Sequence, residues 1–88
     1  MYYVYILYSK EYNRTYVGQT RAIERRILEH NTGKNKSTRP YLPWQIIHQE
    51  IFKTQEEAID REKYLKTSAG RRFIKNKLFD SQNNLKEY

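Results

Sequence analysis

The chain contains no cysteine, only three glycines and two prolines, and no hydrophobic run long enough to span a membrane. Without cysteine it forms neither a disulfide nor a thiolate metal site. Its most apolar stretch, residues 2–8, lacks a basic leader and is too short for a signal peptide or a membrane helix. We therefore expect a cytoplasmic protein without a membrane partner.

Acidic residues are also scarce, with 10 Asp and Glu against 17 Lys and Arg, and the formal net charge is +7. Such a balance favours a polyanionic partner, and nucleic acid is the first candidate, although basic surfaces also occur on proteins that bind nothing specific. At 88 residues we expect one domain over residues 1–80, a polar tail over residues 81–88, and no room for a second domain.

The strand predictions rest on aromatic and β-branched residues. Residues 2–9 and 15–19 flank a polar segment and predict a β-hairpin, and residues 44–52 predict a third strand after a basic, proline-containing surface loop over residues 34–43. With the helices below, the predicted fold is α/β: a small three-stranded antiparallel sheet flanked by helices, in the order β-β-α-β-α-α.

The first helix is predicted from apolar residues at helical spacing, namely Ile23, Ile27 and Leu28. Thr20 is the expected N-cap, and Gly33 is expected to end the helix.

The second helix is predicted from a capping box, in which Thr54 and Glu57 satisfy each other's backbone amides. Gly70 is expected to break the chain before a third, basic helix over residues 71–78. The apolar stripe of the second helix consists of Ala58, Ile59 and Leu65.

Two tyrosines, Tyr5 and Tyr16, lie on the neighbouring strands of the hairpin, and a suitable register places both rings on one face. Two phenol hydroxyls on that face can both contact one phosphate. A nearby cation or metal-bound water favours the ionised form of a tyrosine, which can accept a proton from an attacking water. The alternative is that both rings only pack. Gly18, at the end of the second strand, allows close approach of a backbone or a ligand.

Arg26 and His30 are four residues apart and share a helix face, whereas Arg25 points about 100° away. Arg26 can grip a phosphate through two nitrogens, or it can pair with an acid such as Glu29. His30 is either a second phosphate donor or a residue that caps the end of the helix.

Glu62 lies on the inward side of the second helix, between Ala58 and Leu65. A carboxylate there needs a partner. One candidate is a neighbouring Lys or Arg. The other is Mg²⁺, which proteins often hold with one carboxylate while water and substrate phosphate complete the coordination shell; Mn²⁺ suits the same site.

The triplets Tyr3-Val4-Tyr5 and Tyr16-Val17-Gly18, followed by a helix with Arg26, resemble the two motifs of the GIY-YIG nuclease superfamily. The resemblance covers residues 2–66 and extends to small stand-alone bacterial members similar to the amino-terminal nuclease domain of the bacterial repair excinuclease. It implies a DNA endonuclease, with a role in DNA repair or in processing branched or single-stranded DNA, that uses one divalent metal ion.

Residue by residue, the resemblance implies that Arg26 stabilises the scissile phosphate, Glu62 binds Mg²⁺ or Mn²⁺, and Tyr5 or Tyr16 is the general base. It also implies a supporting role for His30. The sequence departs from the family pattern in three ways: Tyr3 replaces the first glycine, Gln19 stands where some relatives have lysine, and Asn76 is only a conceivable match for a carboxy-terminal asparagine.

A nuclease of this size needs its own basic surface to hold DNA, and two segments could provide it. A nucleic-acid-binding module without catalytic activity is the alternative, because it keeps the charge and the aromatic strands. A protein-interaction domain is disfavoured because it leaves the order of the motifs unexplained. The predicted DNA-binding residues are Lys34, Lys36, Arg39, Arg71, Arg72 and Lys75.

Overall fold

The computed structural model describes the backbone of residues 1–86 and the side chains of residues 1–80. Its element order confirms the predicted β-β-α-β-α-α fold, with one short 3-10 helix added in the loop before the third strand. The elements are β1 Tyr2–Ser9, β2 Arg14–Thr20, α1 Ile23–Asn31, the 3-10 helix Arg39–Tyr41, β3 Gln45–Phe52, α2 Gln55–Leu65 and α3 Ser68–Lys86.

The sheet has β1 at its centre, paired antiparallel with β2 on one side and with β3 on the other. β1 is the most apolar segment, and its residues from Val4 to Ser9 are all buried. In the β1–β2 register Tyr5 lies opposite Gly18, and Leu7 lies opposite Tyr16. This register brings the two predicted site tyrosines to the same face of the hairpin, because side chains alternate along a strand.

The two faces of the sheet carry separate cores. On one face Val4, Ile6 and Val17 pack against residues of α2 and α3. On the other face Tyr5 and Leu7 pack with Trp44 and with residues of α1 and the loop. The sheet is therefore covered on both sides, and the second core is the one that contains the predicted site tyrosine.

One prediction for α1, the N-cap, was wrong. The helix begins after Ala22, and Thr20 instead accepts a hydrogen bond from the Ala22 amide through its side chain, at 3.1 Å. Leu28 is 63% exposed, because only the side of the helix with Ile23 and Ile27 meets the sheet. Gly33 has φ +80°, which agrees with its predicted place at the end of the helix.

The capping box at the start of α2 is present as predicted, with both the Thr54 and the Glu57 side chains engaged. The predicted break at Gly70 was wrong. Gly70 lies inside the first turn of α3, where an added β-carbon would collide with the backbone of Leu65 and Tyr64. Glycine at this position therefore lets the start of α3 approach the end of α2 closely.

The third helix is longer than the sequence predicted. It continues to Lys86, so the backbone of the predicted polar tail is helical as far as that residue, while residues 87–88 lie outside the described part of the chain. Among the helices described, none is both long and apolar enough to cross a membrane.

Candidate active site

Tyr5 and Tyr16 form the centre of the candidate site, with ring centroids 6.2 Å apart. Tyr5 is 1% exposed, whereas Tyr16 is only half-buried. A β-carbon on Gly18 would lie 2.5 Å from the Tyr5 hydroxyl oxygen and 2.9 Å from the Tyr16 ring. The space that glycine leaves is thus used by the two tyrosine rings, and not by a second backbone segment as the sequence also allowed.

A buried hydrogen-bonded chain joins Tyr5 to the loop after α1. The Tyr5 hydroxyl lies 2.9 Å from Nε2 of His30, and Nδ1 of His30 lies 2.8 Å from the Thr38 hydroxyl. His30 is fully buried, and Thr38 is nearly so. Both ring nitrogens of His30 are therefore engaged within the protein. Its hydrogen bond to the site is with Tyr5, and its ring also packs against Tyr16, with ring centroids 4.9 Å apart.

The environment of His30 keeps its ring neutral. Burial lowers the pKa of His30 below its ordinary value, and the Arg26 charge lowers it further, with only partial opposition from Glu29. A neutral imidazole has one donor and one acceptor, which matches a chain with one hydroxyl at each nitrogen. His30 thus orients the Tyr5 hydroxyl without adding a charge beside it.

Tyr5 itself is held in its protonated form. Burial raises the pKa of Tyr5 to about 12, and the charges of Tyr16 and Glu62 also raise it, while interaction with the Arg26 guanidinium lowers it. The hydroxyl of Tyr5 is hydrogen-bonded to His30, and the effect of Arg26 on the pKa of Tyr5 offsets that of burial only in part. At neutral pH Tyr5 is therefore a hydrogen-bond donor.

Arg26 is partly buried beside these hydroxyls, whereas Arg25 is exposed. Burial lowers the pKa of Arg26, but hydrogen bonding to Tyr5 and Glu29 outweighs burial, and the net shift is upward. Its Nη1 lies 3.1 Å from Oε1 of Glu29, the pairing that the sequence allowed as an alternative to phosphate binding. A pair one helical turn apart is worth only about 0.3–0.5 kcal/mol, so Glu29 positions Arg26 without holding it away from a phosphate.

Glu62 lies on α2, with its side chain 22% exposed. Its Oε2 accepts a hydrogen bond of 2.8 Å from Nζ of Lys66, whose own side chain is 57% exposed. This is the lysine pairing that the sequence offered as the alternative to a metal. Because the Glu62 charge raises the pKa of Tyr5, the carboxylate is within electrostatic reach of that hydroxyl.

The donor set fits a metal ion held by one protein carboxylate. Among the side chains of residues 1–80, no three His, Asp or Glu residues gather into a metal cage. A surface pair such as Glu62 and Lys66 contributes roughly 0.3–0.5 kcal/mol, so a divalent cation can displace the ammonium group at little cost. Mg²⁺ keeps most of its waters and commonly uses one or two carboxylates, which suits Glu62.

The predicted DNA-binding residues are all exposed, on the loop after α1 and on α3. A groove of about 400 Å³ along the edge of β2 is lined by Tyr16, Lys66 and Arg71, among others, and thus joins the candidate site to the basic helix. Asn76 is exposed on the same helix. The exposed basic residues are Lys34, Lys36, Arg39, Arg71, Arg72 and Lys75.

Sequence reasoning missed the residues that fasten the loop to the site. The Asn31 side chain donates to the Trp44 carbonyl oxygen and accepts from the Trp44 amide, at 3.0 and 2.8 Å. Trp44 Nε1 in turn donates to the Thr38 carbonyl oxygen at 2.9 Å. The sequence signal was weak: a lone tryptophan after a proline-containing loop, and a threonine among basic residues.

Comparisons with known proteins identify the family of the chain. Residues 1–77 match the family described as the GIY-YIG catalytic domain. The chain is 38% identical over 74 residues to a UPF0213 protein of Staphylococcus saprophyticus, covering 83% of this chain and 89% of the relative. It is 41% identical over 66 residues to a UPF0213 protein of Haloquadratum walsbyi, covering 74% of this chain and 73% of the relative.

A solved structure is also similar. The solution NMR structure of a UPF0213 protein from Bacillus halodurans matches with a TM-score of 0.52 and 32% identity, over 86% of this chain and 84% of that chain. The family match includes Tyr5, Tyr16, Arg26 and Glu62. The chain belongs to the GIY-YIG nuclease family.

Proposed function

We propose that the protein is a metal-dependent endonuclease that hydrolyses DNA phosphodiester bonds. The observation that carries the proposal is the pair of tyrosine rings 6.2 Å apart on one face of the sheet. The charges of Arg26 and Glu62 both act on the pKa of Tyr5, which supports placing them at the same site. The resemblance of the sequence motifs implies that these groups correspond to functional residues of the family. Phosphodiester hydrolysis requires groups that stabilise negative charge and groups that transfer protons, and a cation, a carboxylate and phenol hydroxyls can fill these roles.

Arg26 binds the scissile phosphate in this proposal. Its planar guanidinium presents several donors to phosphate oxygens and stays charged, so it stabilises the extra negative charge that gathers during attack. Glu29 and Tyr5 hold the guanidinium in place before substrate arrives. Preorganised donors of this kind are worth about 10²–10³ in rate when removed singly.

We assign the general base to Tyr16 and a donor role to Tyr5. A base works best when its pKa lies near the working pH, and burial holds the pKa of Tyr5 at about 12. Tyr16 is half-buried and lines the groove at the β2 edge, where water and substrate have access. In this proposal Nε2–H of His30 donates to the Tyr5 oxygen, which leaves the single hydroxyl hydrogen of Tyr5 for a substrate oxygen.

Glu62 holds the divalent metal, Mg²⁺ or Mn²⁺, in this proposal. When bound, the ion supplies positive charge against the developing phosphate charge and lowers the pKa of a bound water. Glu62 would hold the ion through its carboxylate, and Lys66, whose Nζ now lies 2.8 Å from Glu62 Oε2, would then be free to contact phosphate.

The substrate in this proposal is DNA, in branched or single-stranded form, with DNA repair in the cytoplasm as the setting. The support is the net charge of +7 and the exposed basic residues on the loop after α1 and on α3. Lysines and arginines that neutralise phosphates make binding salt-dependent, with a slope of roughly −0.7 per contact for single strands.

One observation favours the alternative, a nucleic-acid-binding module without catalytic activity. Arg26 and Glu62 both have partners within the chain, and Tyr5 is bonded to His30, so the polar groups of the site are satisfied without substrate or metal. The charged surface would remain useful for binding in that case.

The test compares cleavage by the wild type, Glu62→Gln and a matched control, Glu56→Gln, which changes an exposed glutamate on the same helix. Labelled single-stranded, duplex and branched DNAs, with matched RNAs, are incubated with Mg²⁺, Mn²⁺ or chelator. We expect metal-dependent cleavage of DNA that Glu62→Gln abolishes and Glu56→Gln retains, with DNA binding unchanged in both. Binding without cleavage by the wild type would instead establish the inactive module.

A further inference from the structure

An aromatic cluster lies at the end of the hairpin, outside the candidate active site. Tyr12, in the turn between β1 and β2, packs edge-on against Tyr41 with ring centroids 5.6 Å apart. The Arg14 guanidinium carbon lies 4.3 Å from the centroid of the same Tyr41 ring. Two tyrosines and an arginine from two separate segments therefore meet at one surface.

Tyr12 does not serve the turn in which it lies. The turn is set by Asn13, which has φ 51°, and the Tyr8 hydroxyl donates to Oδ1 of Asn13 at 3.2 Å. Tyr12 remains 49% exposed, and the ring it touches belongs to the 3-10 helix of the basic loop. A large, half-exposed aromatic ring held against a second ring is thus available to a ligand.

The cluster is connected to the candidate site by a row of rings. Tyr41 lies 6.3 Å from Trp44, and Trp44 lies 6.4 Å from Tyr16. The path from Tyr16 to Tyr12 is therefore at most about 18 Å. At the ~3.4 Å rise of a stacked strand this distance spans roughly five nucleotides.

We propose that Tyr12, supported by Tyr41 and Arg14, is a stacking platform for one unpaired base of the substrate strand. The inference rests on the proposed function in one respect, namely that the ligand is a nucleic acid. A flat aromatic ring beside a guanidinium suits a base and its phosphate, because the ring stacks on the base and the cation meets the backbone.

Charge complementarity supports this occupant. The exposed charges around the cluster are mostly positive: Lys10 and Arg14 beside Tyr12 and Arg39 beside Tyr41, against one acid, Glu11. A strand running from the candidate site to Tyr12 therefore meets cations on both sides of the ring. Stacking needs a base that is free of its pair, so the platform selects single-stranded or branched substrates over closed duplex.

The test is equilibrium binding of a single-stranded DNA oligonucleotide, and of the matched RNA, in excess chelator, so that no cleavage contributes. Tyr12→Ala should weaken binding about five- to a hundredfold, the range for one base stacked on an aromatic side chain, and Tyr12→Phe should bind as the wild type does. Blunt duplex should bind equally to all variants. Tyr64→Ala is the matched control, because Tyr64 is similarly exposed at 44% with Arg61 5.2 Å from its ring, on another surface.

A series of oligonucleotides with a single abasic site at successive positions locates the stacked base. One position should weaken wild-type binding as much as Tyr12→Ala does, and the same abasic site should add no further loss in that variant. Equal loss with Tyr64→Ala, or additive losses at every abasic position, would overturn the proposal. Since binding is measured without metal, a failure of cleavage would refute the nuclease and leave the platform standing.

Discussion

Replacing Gly18 by alanine tests the packing on which the candidate site depends. The new methyl group would lie 2.5 Å from the Tyr5 hydroxyl oxygen, 2.7 Å from Cζ of the same ring and 2.9 Å from the Tyr16 ring. Real β-carbons are not found so close to other heavy atoms. Tyr5 is 1% exposed and bonded to His30, so its ring has nowhere to move without disturbing that bond.

The expected cost follows from these contacts. Overpacking a dense core costs about 1–3 kcal/mol, and loss of the Tyr5–His30 hydrogen bond adds about 1 kcal/mol. Alanine has less backbone freedom than glycine in the unfolded chain, which offsets about 0.5–1 kcal/mol of this loss of stability. We therefore expect Gly18→Ala to lower the free energy of unfolding by about 1–3.5 kcal/mol, and each kcal/mol corresponds to a fall in Tm of about 4–8 °C for a domain of this size.

The assay is urea unfolding followed by circular dichroism, with Tyr5→Phe in both backgrounds. In the wild type, Tyr5→Phe should lower the free energy of unfolding by about 1 kcal/mol. In Gly18→Ala it should lower it by less, because the Tyr5 oxygen that clashes most closely with the new methyl group is removed. Gly18→Ala with wild-type stability, or a Tyr5→Phe cost that is equal in both backgrounds, would refute the packing argument.

Three further predictions concern the polar residues of the site. Lowering the pH from 6.5 to 5 should reduce the free energy of unfolding by at most ~1.4 kcal/mol per pH unit. The reason is that His30 takes up a proton in the unfolded chain but not in the folded protein, where its pKa is lowered. Urea titrations of His30→Gln should show a weaker dependence of stability on pH. Arg26→Lys should reduce DNA cleavage about 10²-fold or more, while Arg25→Lys, at an exposed position, should leave the rate unchanged. In the same cleavage assay Tyr16→Phe should be more damaging than Tyr5→Phe; the reverse order would move the general base to Tyr5.

The sequence predicted the elements because their signals are local. The hairpin, the capping box at Thr54 and the end of α1 at Gly33 depend on residues within a turn of each other. The errors arose where distant contacts decide. Gly70 was predicted to be a break, but its lack of a side chain allows close contact between two helices.

The sequence indicated which residues form the candidate site but not the hydrogen bonds that connect them. Strand register brought Tyr5 and Tyr16 to one face, as alternation along the strands suggested. The raised pKa of Tyr5 was not predictable, because it depends on how completely neighbouring side chains exclude water. Thr38 was missed because its contact with His30 depends on the path of an irregular loop.

The position of Trp44 gives the molecule its own optical reporter. It is the only tryptophan in the sequence, it is 5% exposed, and its indole N–H is bonded to the Thr38 carbonyl oxygen. Its ring lies between Tyr16 of the candidate site and Tyr41 of the outer cluster. The emission of one native fluorophore will therefore respond to a strand that occupies either end of this row, without any label on the protein or the nucleic acid.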